Sequence, residues 1–404
     1  MSDFHQNGIV TTFHNFRTKE LESIESELLE FSKVRPMQLI LPSLYSELSG
    51  SALPDIINKL KKVKYLEQIT IGLDQASEKE FVHAKEFFSV LPQKVRILWN
   101  DGPNLKAVSN LLRENGLDNS SPGKGRNVWY CMGYIYGLKN SEAVALHDCD
   151  ILTYDREMLA RLFYPIANPA YNFYFCKGYY SRIADGKMNG RVGRLLVSPL
   201  IGALKKMTPS KSNYLDFLSS FRYTLSGEFS FRRRLIRDVR IPSDWGLEVG
   251  ILSEIQRNFA SNMVCQVDIA DKYDHKHQDI SFSDREEGLS KMSIDIIKTL
   301  IRKLASQGVG FDKDALRALK ATYYRTALDY ISSYSYDARM NGIELDINIE
   351  ESFVELFAEN IMFGGEIVLE NPVVRNLMPN WSRVRSAVPF IYDKLIDAVE
   401  RDNA

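Results

Sequence analysis

Short apolar runs alternate with longer amphipathic stretches through the first two-thirds of the chain. The runs MQLILPSL, QITIGL, KVRILW and AVALHD have the length of buried strands, whereas SALPDIINKLKKV, EKEFVHAKEFFSVL and GKGRNVWYCMGYIYGL carry apolar residues at helical spacing. This alternation predicts an α/β domain built on a parallel sheet. Ligands of such sheets bind beyond the carboxyl ends of the strands, so the residues that follow each apolar run are the first candidates for function.

The two ends of the chain follow a different pattern. Residues 1–35 carry apolar side chains at helical spacing among glutamates, which predicts an N-terminal helical arm. Long periodic stretches such as DALRALKATYYRTALDYISSY predict a mostly helical C-terminal region over residues 286–404, which leaves residues 36–285 as the α/β domain. The apolar surface of the helical region makes it a possible dimer interface. We expect a homodimer because symmetric homo-oligomers are common.

Composition narrows the class of protein. The 404 residues include 51 lysines and arginines against 52 aspartates and glutamates, so no net field attracts nucleic acid or an acidic membrane surface. The four cysteines lack CxxC spacing and no secretory signal precedes them, which predicts a cytoplasmic protein with free thiols. No apolar run approaches the roughly 20 residues that span a bilayer, so we expect no membrane partner.

Two carboxylates stand at the end of the buried run in AVALHDCDILTY. Asp148 and Asp150 project from the same face if the strand geometry continues that far. Paired carboxylates at a strand end suit a hard divalent cation, which can neutralise the diphosphate of a bound nucleotide. The alternative is a solvated loop after a strand. The apolar residues on both sides of the triplet favour the cation site.

Two further segments offer groups for the same ligand. Lys124, in SPGKGRNVWY, begins a helical pattern and suits a phosphate; a glycine turn with a surface lysine is the alternative. The spacing is not that of a P-loop. His275 and His277 follow the apolar run MVCQVDIA, and imidazole is a good ligand for manganese or zinc. The HExxH pattern is absent, which disfavours a metallohydrolase, and a polar surface loop is the alternative.

Two loops carry candidate groups for an anionic or sugar ligand. NGRVGR supplies Arg191 on a flexible backbone, and a guanidinium binds anions through paired hydrogen bonds; a loop that reverses direction is the alternative. WGLEVG places Glu248 three residues after Trp245 in an apolar setting. A carboxylate there is either a helix cap or part of an active site.

The order of these segments along the chain resembles that of one known protein family. LPSLYSE, GKG, the Asp-x-Asp triplet, GRV, SGE, WGLEVG and DHKH follow one another as in the glucosyl-3-phosphoglycerate synthases, over roughly residues 37–278. The resemblance implies the GT-A fold of a retaining glycosyltransferase, in which a Rossmann-like mixed sheet forms the catalytic domain and a mostly helical extension follows. It also implies a divalent metal, Mg²⁺ or Mn²⁺.

The resemblance assigns roles to individual residues. It implies that Asp150 and His275 hold the metal, and that Asp150, Lys124 and Glu248 carry the catalytic step. The implied donor-binding residues are Pro42, Ser43, Leu44, Tyr45, Ser46, Leu73 or its neighbours Gly72 and Asp74, Lys124, Asp148, Trp245, Gly246, Leu247 and Glu248. The implied acceptor-binding residues are Gly190, Arg191, Val192, Gly193 and His277. Gly193 replaces a threonine of the family, and HKHQ stands where the family has His-Arg-Asn-Arg.

The sequence therefore predicts a metal-dependent transferase that moves glucose from a nucleotide-diphosphate glucose, with UDP-glucose favoured, to 3-phosphoglycerate. The product would be a precursor of a compatible solute or a polysaccharide. Three alternatives stay open: a mannosyl-3-phosphoglycerate synthase or a transferase acting on another small acid, an enzyme that hydrolyses the donor, and a non-catalytic module that binds a nucleotide sugar and regulates a partner. The intact set of Lys124, Asp148, Asp150 and His275 argues against the non-catalytic module.

Overall fold

The computed structural model describes residues 6, 8–117, 122–208, 212–275, 288–373 and 377–404. Its strands are β1 (Thr11–Phe13), β2 (Met37–Leu44), β3 (Leu66–Asp74), β4 (Lys94–Trp99), β5 (Ala143–Leu146), β6 (Phe175–Tyr180), β7 (Ile183–Ala184), β8 (Lys187–Met188), β9 (Phe229–Arg232) and β10 (Val264–Ala270). The main sheet has the order β1-β10-β6-β9-β5-β2-β3-β4, and β7 pairs with β8 in a separate hairpin. Strand β9 runs antiparallel to β5 and β6, and the other neighbours in the main sheet pair in parallel.

Helices cover both faces of this sheet. They are α1 (Leu21–Ser32), α2 (Ala52–Leu60), α3 (Glu78–Phe88), α4 (Pro103–Glu114), α5 (Lys124–Leu138), α6 (Arg156–Ala167), α7 (Ser198–Met207), α8 (Asn213–Ser219), α9 (Leu247–Asn258), α10 (Gly288–Ala305), α11 (Lys313–Met340), α12 (Ile347–Glu370), α13 (Trp381–Ala387) and α14 (Ile391–Asn403). Within the described ranges, no helix combines the length and the apolar character that crossing a bilayer requires.

The sheet separates two apolar cores because its strands are buried on both faces. Leu39 and Leu41 of β2 belong to the core that contains α2, α3 and α6, whereas Ile40 belongs to the core beside α5. Parallel strands covered on both faces are nearly continuous apolar runs in the sequence. This is why the strand positions could be predicted without any alternation of polar residues.

The N-terminal segment contributes a strand as well as a helix. Strand β1 pairs in parallel with β10, where Thr11 stands opposite Cys265, and α1 packs against α6. The sequence predicts only a helical arm over residues 1–35. The edge strand escapes that prediction because three residues are too few to show a period and because the partner strand is far away in the chain.

The C-terminal helices form two groups that both contact the α/β domain. Helix α12 packs on both α10 and α11, and α11 also packs on α7. Helix α14 returns to the far edge of the sheet against α4, α5 and β4, where Arg96 Nε donates to Glu400 Oε2 at 2.8 Å. The C-terminal region therefore supports the sheet directly. Its use as a dimer interface stays a prediction.

Candidate active site

A cleft of about 1040 Å³ opens at the carboxyl ends of β2, β3, β5 and β6. This is the edge of a parallel sheet at which ligands are expected, because each strand ends there and the next loop begins. Most of the residues predicted from the sequence line the cleft: Pro42, Ser43, Leu44, Ser46, Lys124, Asp148, Asp150, Gly190, Arg191, Val192, Gly193, Trp245, Leu247, Glu248 and His275.

Three residues predicted to bind the sugar donor do not line the cleft. Leu73 is fully buried in the apolar core because alternate residues of β3 face that core, and the cleft is lined by Asp74 in its place. Tyr45 forms a hydrogen bond at 3.0 Å between its hydroxyl and His83 Nδ1, outside the cleft. Gly246 is buried at the start of α9.

A backbone pairing between two distant segments forms the candidate metal site. Ile151 pairs with His275 in an antiparallel bridge, and the Leu152 amide donates to the Asp274 carbonyl at 2.9 Å. This pairing brings Asp150 Oδ2 to 4.0 Å from His275 Nδ1. His277, which the resemblance assigns to the acceptor, lies outside the described residues.

Lys124 joins two carboxylates at the centre of the cleft. Its Nζ lies 2.7 Å from Asp148 Oδ1 and 3.0 Å from Glu248 Oε1. Lys124 is the first residue of α5, and the helix can begin here because Gly125 lies against the Pro242 carbonyl, where a Cβ would be only 1.9 Å from that oxygen. The glycine of the GKG segment therefore allows the close approach that puts Lys124 between Asp148 and Glu248.

Asp148 and Asp150 have shifted pKa values. Burial and then the charge of Asp148 raise the pKa of Asp150 to about 7. For Asp148, burial acts in the opposite direction, but the ammonium of Lys124 holds the pKa below its ordinary value. The site thus has more negative charge than Lys124 alone balances. A further cation beside Asp150 would reduce the repulsion between its carboxylates.

The donor groups around Asp150 fit a cation that shares its coordination with a ligand. Within the described ranges, no group of three or more His, Cys, Asp or Glu side chains forms a complete metal site. Asp150 and His275 supply one carboxylate and one imidazole, a pair compatible with Mn²⁺. Oxygen atoms of a bound diphosphate would have to complete the coordination.

The GRV loop is held from the C-terminal region. Arg191 Nε lies 3.2 Å from Glu350 Oε1, and Arg194 Nη1 lies 2.7 Å from Glu350 Oε2. The guanidinium of Arg191 also stacks on the ring of Phe353, at 4.8 Å from its centroid. Glu350 and Phe353 belong to α12, so the position of Arg191 depends on a helix that sequence reasoning placed outside the catalytic domain.

Comparisons with known proteins identify the family. No family model matches the chain. A glucosyl-3-phosphoglycerate synthase from Persephonella marina is 46% identical over 404 residues, which is 100% of both chains. A second protein of this name, from Methanococcoides burtonii, is 38% identical over 405 aligned positions, covering 99% of this chain and 98% of the relative.

The chain belongs to the glucosyl-3-phosphoglycerate synthase family.

Membership of this family makes the chain a glycosyltransferase, as the order of its motifs predicts. Among solved structures, the glucosyl-3-phosphoglycerate synthase from Mycobacterium tuberculosis in complex with Mn²⁺, UDP-glucose and phosphoglyceric acid has a TM-score of 0.52 and 16% identity, over 75% of this chain and 89% of that one. This likeness concerns the fold. With the mixed, mostly parallel sheet, it confirms the predicted GT-A architecture of a glucosyl-3-phosphoglycerate synthase.

The structure also reveals a buried carboxyl group, that of Glu228, whose contacts the sequence did not predict. The rings of Tyr180 and Tyr273 stack with centroids 3.7 Å apart, and their hydroxyls donate to the two oxygens of Glu228, at 2.7 and 2.8 Å. Burial raises the pKa of Glu228. Because Tyr273 stands two residues before His275, this carboxyl fixes the segment that carries the candidate metal ligand. The sequence analysis names the SGE segment that contains Glu228 but assigns this residue no role, because only the fold brings Tyr180 and Tyr273 to it.

Proposed function

We propose that this protein transfers glucose from UDP-glucose to 3-phosphoglycerate with retention at the anomeric carbon. One observation carries the proposal: a single cleft is lined by the acidic and basic groups suited to a metal-bound diphosphate and by the arginine-bearing loop suited to an anionic acceptor. The names of the two full-length relatives and the ligands of the mycobacterial neighbour support the same pair of substrates.

The donor half of the cleft holds the nucleotide and its diphosphate. Pro42, Ser43, Ser46 and neighbouring residues line the part of the cleft suited to the nucleotide, and Asp150 and His275 would hold a divalent cation, Mn²⁺ or Mg²⁺. When bound, this cation supplies positive charge that stabilises the departing diphosphate. Lys124 donates hydrogen bonds to the same phosphate oxygens, and its contacts with Asp148 and Glu248 keep it charged and in place.

The acceptor half holds the phosphoglycerate against the donor sugar. Arg191 binds an anionic group of the acceptor, and the flexible backbone at Gly190 and Gly193 lets the loop follow the ligand. Glu248 positions the donor sugar by accepting a hydrogen bond from it through a carboxylate oxygen. Retention requires the acceptor hydroxyl to attack from the face that the leaving group vacates, so the acceptor must lie beside the diphosphate. We assign no side chain as catalytic base.

The proposal includes the setting in which the enzyme works. We propose a homodimer, with the C-terminal helices as the contact region, and a cytoplasmic location. Light scattering coupled to size-exclusion chromatography tests the dimer directly, because a mass near the 46.3 kDa of one chain contradicts it.

A transfer assay with several donors and acceptors tests the reaction. The purified protein is incubated with Mn²⁺ or Mg²⁺, with UDP-, GDP- or ADP-glucose or GDP-mannose, and with 3-phosphoglycerate or D-glycerate. We expect an α-linked glucosyl-3-phosphoglycerate from UDP-glucose, identified by mass and by the anomeric NMR signal. Transfer from GDP-mannose would favour the mannosyl alternative. Free glucose released at a rate that does not depend on the acceptor would indicate donor hydrolysis and contradict the proposal.

A further inference from the structure

One guanidinium in the cleft has no carboxylate partner among the described residues. Arg182 follows β6 and lines the cleft, and its buried Nε atom has no hydrogen-bond partner in the same part of the chain. Its Nη1 makes a long contact of 3.4 Å to the Tyr223 hydroxyl, and the guanidinium lies 5.4 Å from the centroid of the Tyr273 ring. A half-buried guanidinium of this kind is stabilised when a ligand supplies the opposite charge.

The other arginines of this loop region have a carboxylate partner. Arg191 and Arg194 share the carboxylate of Glu350, which is 3% exposed. Arg182 nevertheless lies beside the same loop, because its carbonyl accepts from the Asn189 amide at 2.7 Å. A Cβ on Gly190 would lie 3.2 Å from the Arg182 Cβ, so the loop and Arg182 are in close contact.

The two guanidiniums contact different parts of the molecule. Arg182 stacks on Tyr273, whose ring centroid is 6.0 Å from that of His275. Arg191 instead stacks on Phe353 of α12. Along the cleft, Arg182 is therefore the cation linked to the donor end and Arg191 is the cation linked to the C-terminal helices.

We propose that Arg182 binds the carboxylate of the acceptor and that Arg191 binds its phosphate. This inference rests on the proposed function. In 3-phosphoglycerate the carboxylate carbon is bonded directly to the carbon that carries the reacting hydroxyl, whereas the phosphate is separated from that carbon by a further carbon and an oxygen. The anion nearer the reacting centre thus matches Arg182, the guanidinium that contacts Tyr273 beside His275. The planar fork of an arginine also fits the two oxygens of a carboxylate.

The test compares Arg182→Gln with a matched arginine outside the cleft. Arg222 provides the control, because its guanidinium also stacks on a tyrosine, 5.3 Å from the Tyr179 centroid. Both variants and Arg182→Lys are titrated calorimetrically with 3-phosphoglycerate, with glycerol 3-phosphate, which lacks the carboxylate, and with UDP-glucose in the presence of Mn²⁺. The KM values for transfer are measured in parallel.

We expect Arg182→Gln to weaken the binding of the phosphoglycerate acceptor, and to raise its KM in transfer, by roughly 10- to 100-fold, the effect of one lost charged hydrogen-bonding partner. The affinities for glycerol 3-phosphate and for UDP-glucose should stay unchanged, Arg182→Lys should recover part of the loss, and Arg222→Gln should match the wild type. Unchanged acceptor affinity in Arg182→Gln overturns the inference, and so does an equal loss for both acceptor-like ligands, which assigns Arg182 to the phosphate. Wild-type protein that neither binds nor glucosylates 3-phosphoglycerate overturns the proposed function itself.

Discussion

Replacing Lys124 by methionine isolates the charge that holds the centre of the cleft together. The ammonium lies 2.7 Å from Asp148 Oδ1 and 3.0 Å from Glu248 Oε1, and methionine keeps a similar side-chain length without the charge. The substitution leaves two carboxylates facing each other with no cation between them. It should therefore destabilise the fold and weaken the binding of the donor diphosphate.

The expected loss in the free energy of unfolding follows from how exposed the Lys124–Asp148 ion pair is. The side chains of Lys124 and Asp148 are 27% and 24% exposed, which places them between surface pairs and fully buried pairs. Breaking a surface pair costs about 0–1 kcal/mol and breaking a buried pair about 3–5 kcal/mol, so we expect the free energy of unfolding to fall by about 2–3 kcal/mol. Lys205→Met is the control, because Lys205 and Asp216 form a 2.7 Å pair with 42% and 38% exposure.

The loss in the free energy of unfolding of Lys124→Met should also depend on pH. Burial and the charge of Asp148 raise the pKa of Asp150 to about 7, and removing Lys124 takes away a charge that lowers the pKa values of both Asp150 and Asp148. A carboxyl whose pKa is raised in the folded protein is neutral there at low pH, and its destabilising effect grows as the pH rises toward that folded pKa. The deficit of Lys124→Met should therefore be larger at about pH 8 than at about pH 5.

Urea unfolding of the wild type, Lys124→Met and Lys205→Met at both pH values measures these differences. In the transfer assay, kcat of Lys124→Met should fall by about 10²- to 10³-fold, as is typical for losing a donor to developing negative charge. A deficit no larger than that of Lys205→Met, with no dependence on pH, would refute the charge argument. Transfer near the wild-type rate would show that Lys124 does not face the diphosphate.

The remaining predictions concern the metal and the acceptor. Asp150→Asn should abolish Mn²⁺ binding measured by electron paramagnetic resonance while the melting temperature stays close to that of the wild type; tight Mn²⁺ binding in this variant contradicts the site. In the wild type, Mn²⁺ affinity should weaken as the pH falls below about 7, because a proton then competes for the Asp150 carboxylate. Arg191→Ala should raise the KM for the acceptor much more than the KM for UDP-glucose, and the reverse would place Arg191 at the donor. Glu350→Gln should raise the acceptor KM about tenfold, because it releases Arg191 and a charged hydrogen bond contributes about 1.5 kcal/mol or more. Glu355→Gln, on the exposed face of the same helix, is the control and should leave the acceptor KM unchanged.

The sequence determined the features that depend on neighbouring residues. Strand β2 coincides with the apolar run MQLILPSL, and α5 begins at the lysine of the GKG segment. The Asp-x-Asp triplet follows β5, at the edge of the sheet where a ligand is expected. Strand and helix periods are properties of a few consecutive side chains, so they can be recognised before any contact is known.

The order of the motifs determined the family, and with it the GT-A fold that the comparisons confirm. The same order could not show which side chains meet. Glu248 is 124 positions from Lys124, and Glu350 is 159 positions from Arg191, yet each pair is in contact. No local pattern records such contacts, because they form only when separate elements pack together.

Tertiary structure therefore decided the charges and the distances of the cleft. The pairing of Ile151 with His275 set the separation of the candidate metal ligands, and burial set the pKa of Asp150. It also left Arg182 without a carboxylate among the described residues, which no pattern in the sequence around Arg182 indicates. The sequence supplied the chemical groups in order along the chain. Their mutual distances and their exclusion from water, which govern electrostatic energies, arise only from the folded arrangement.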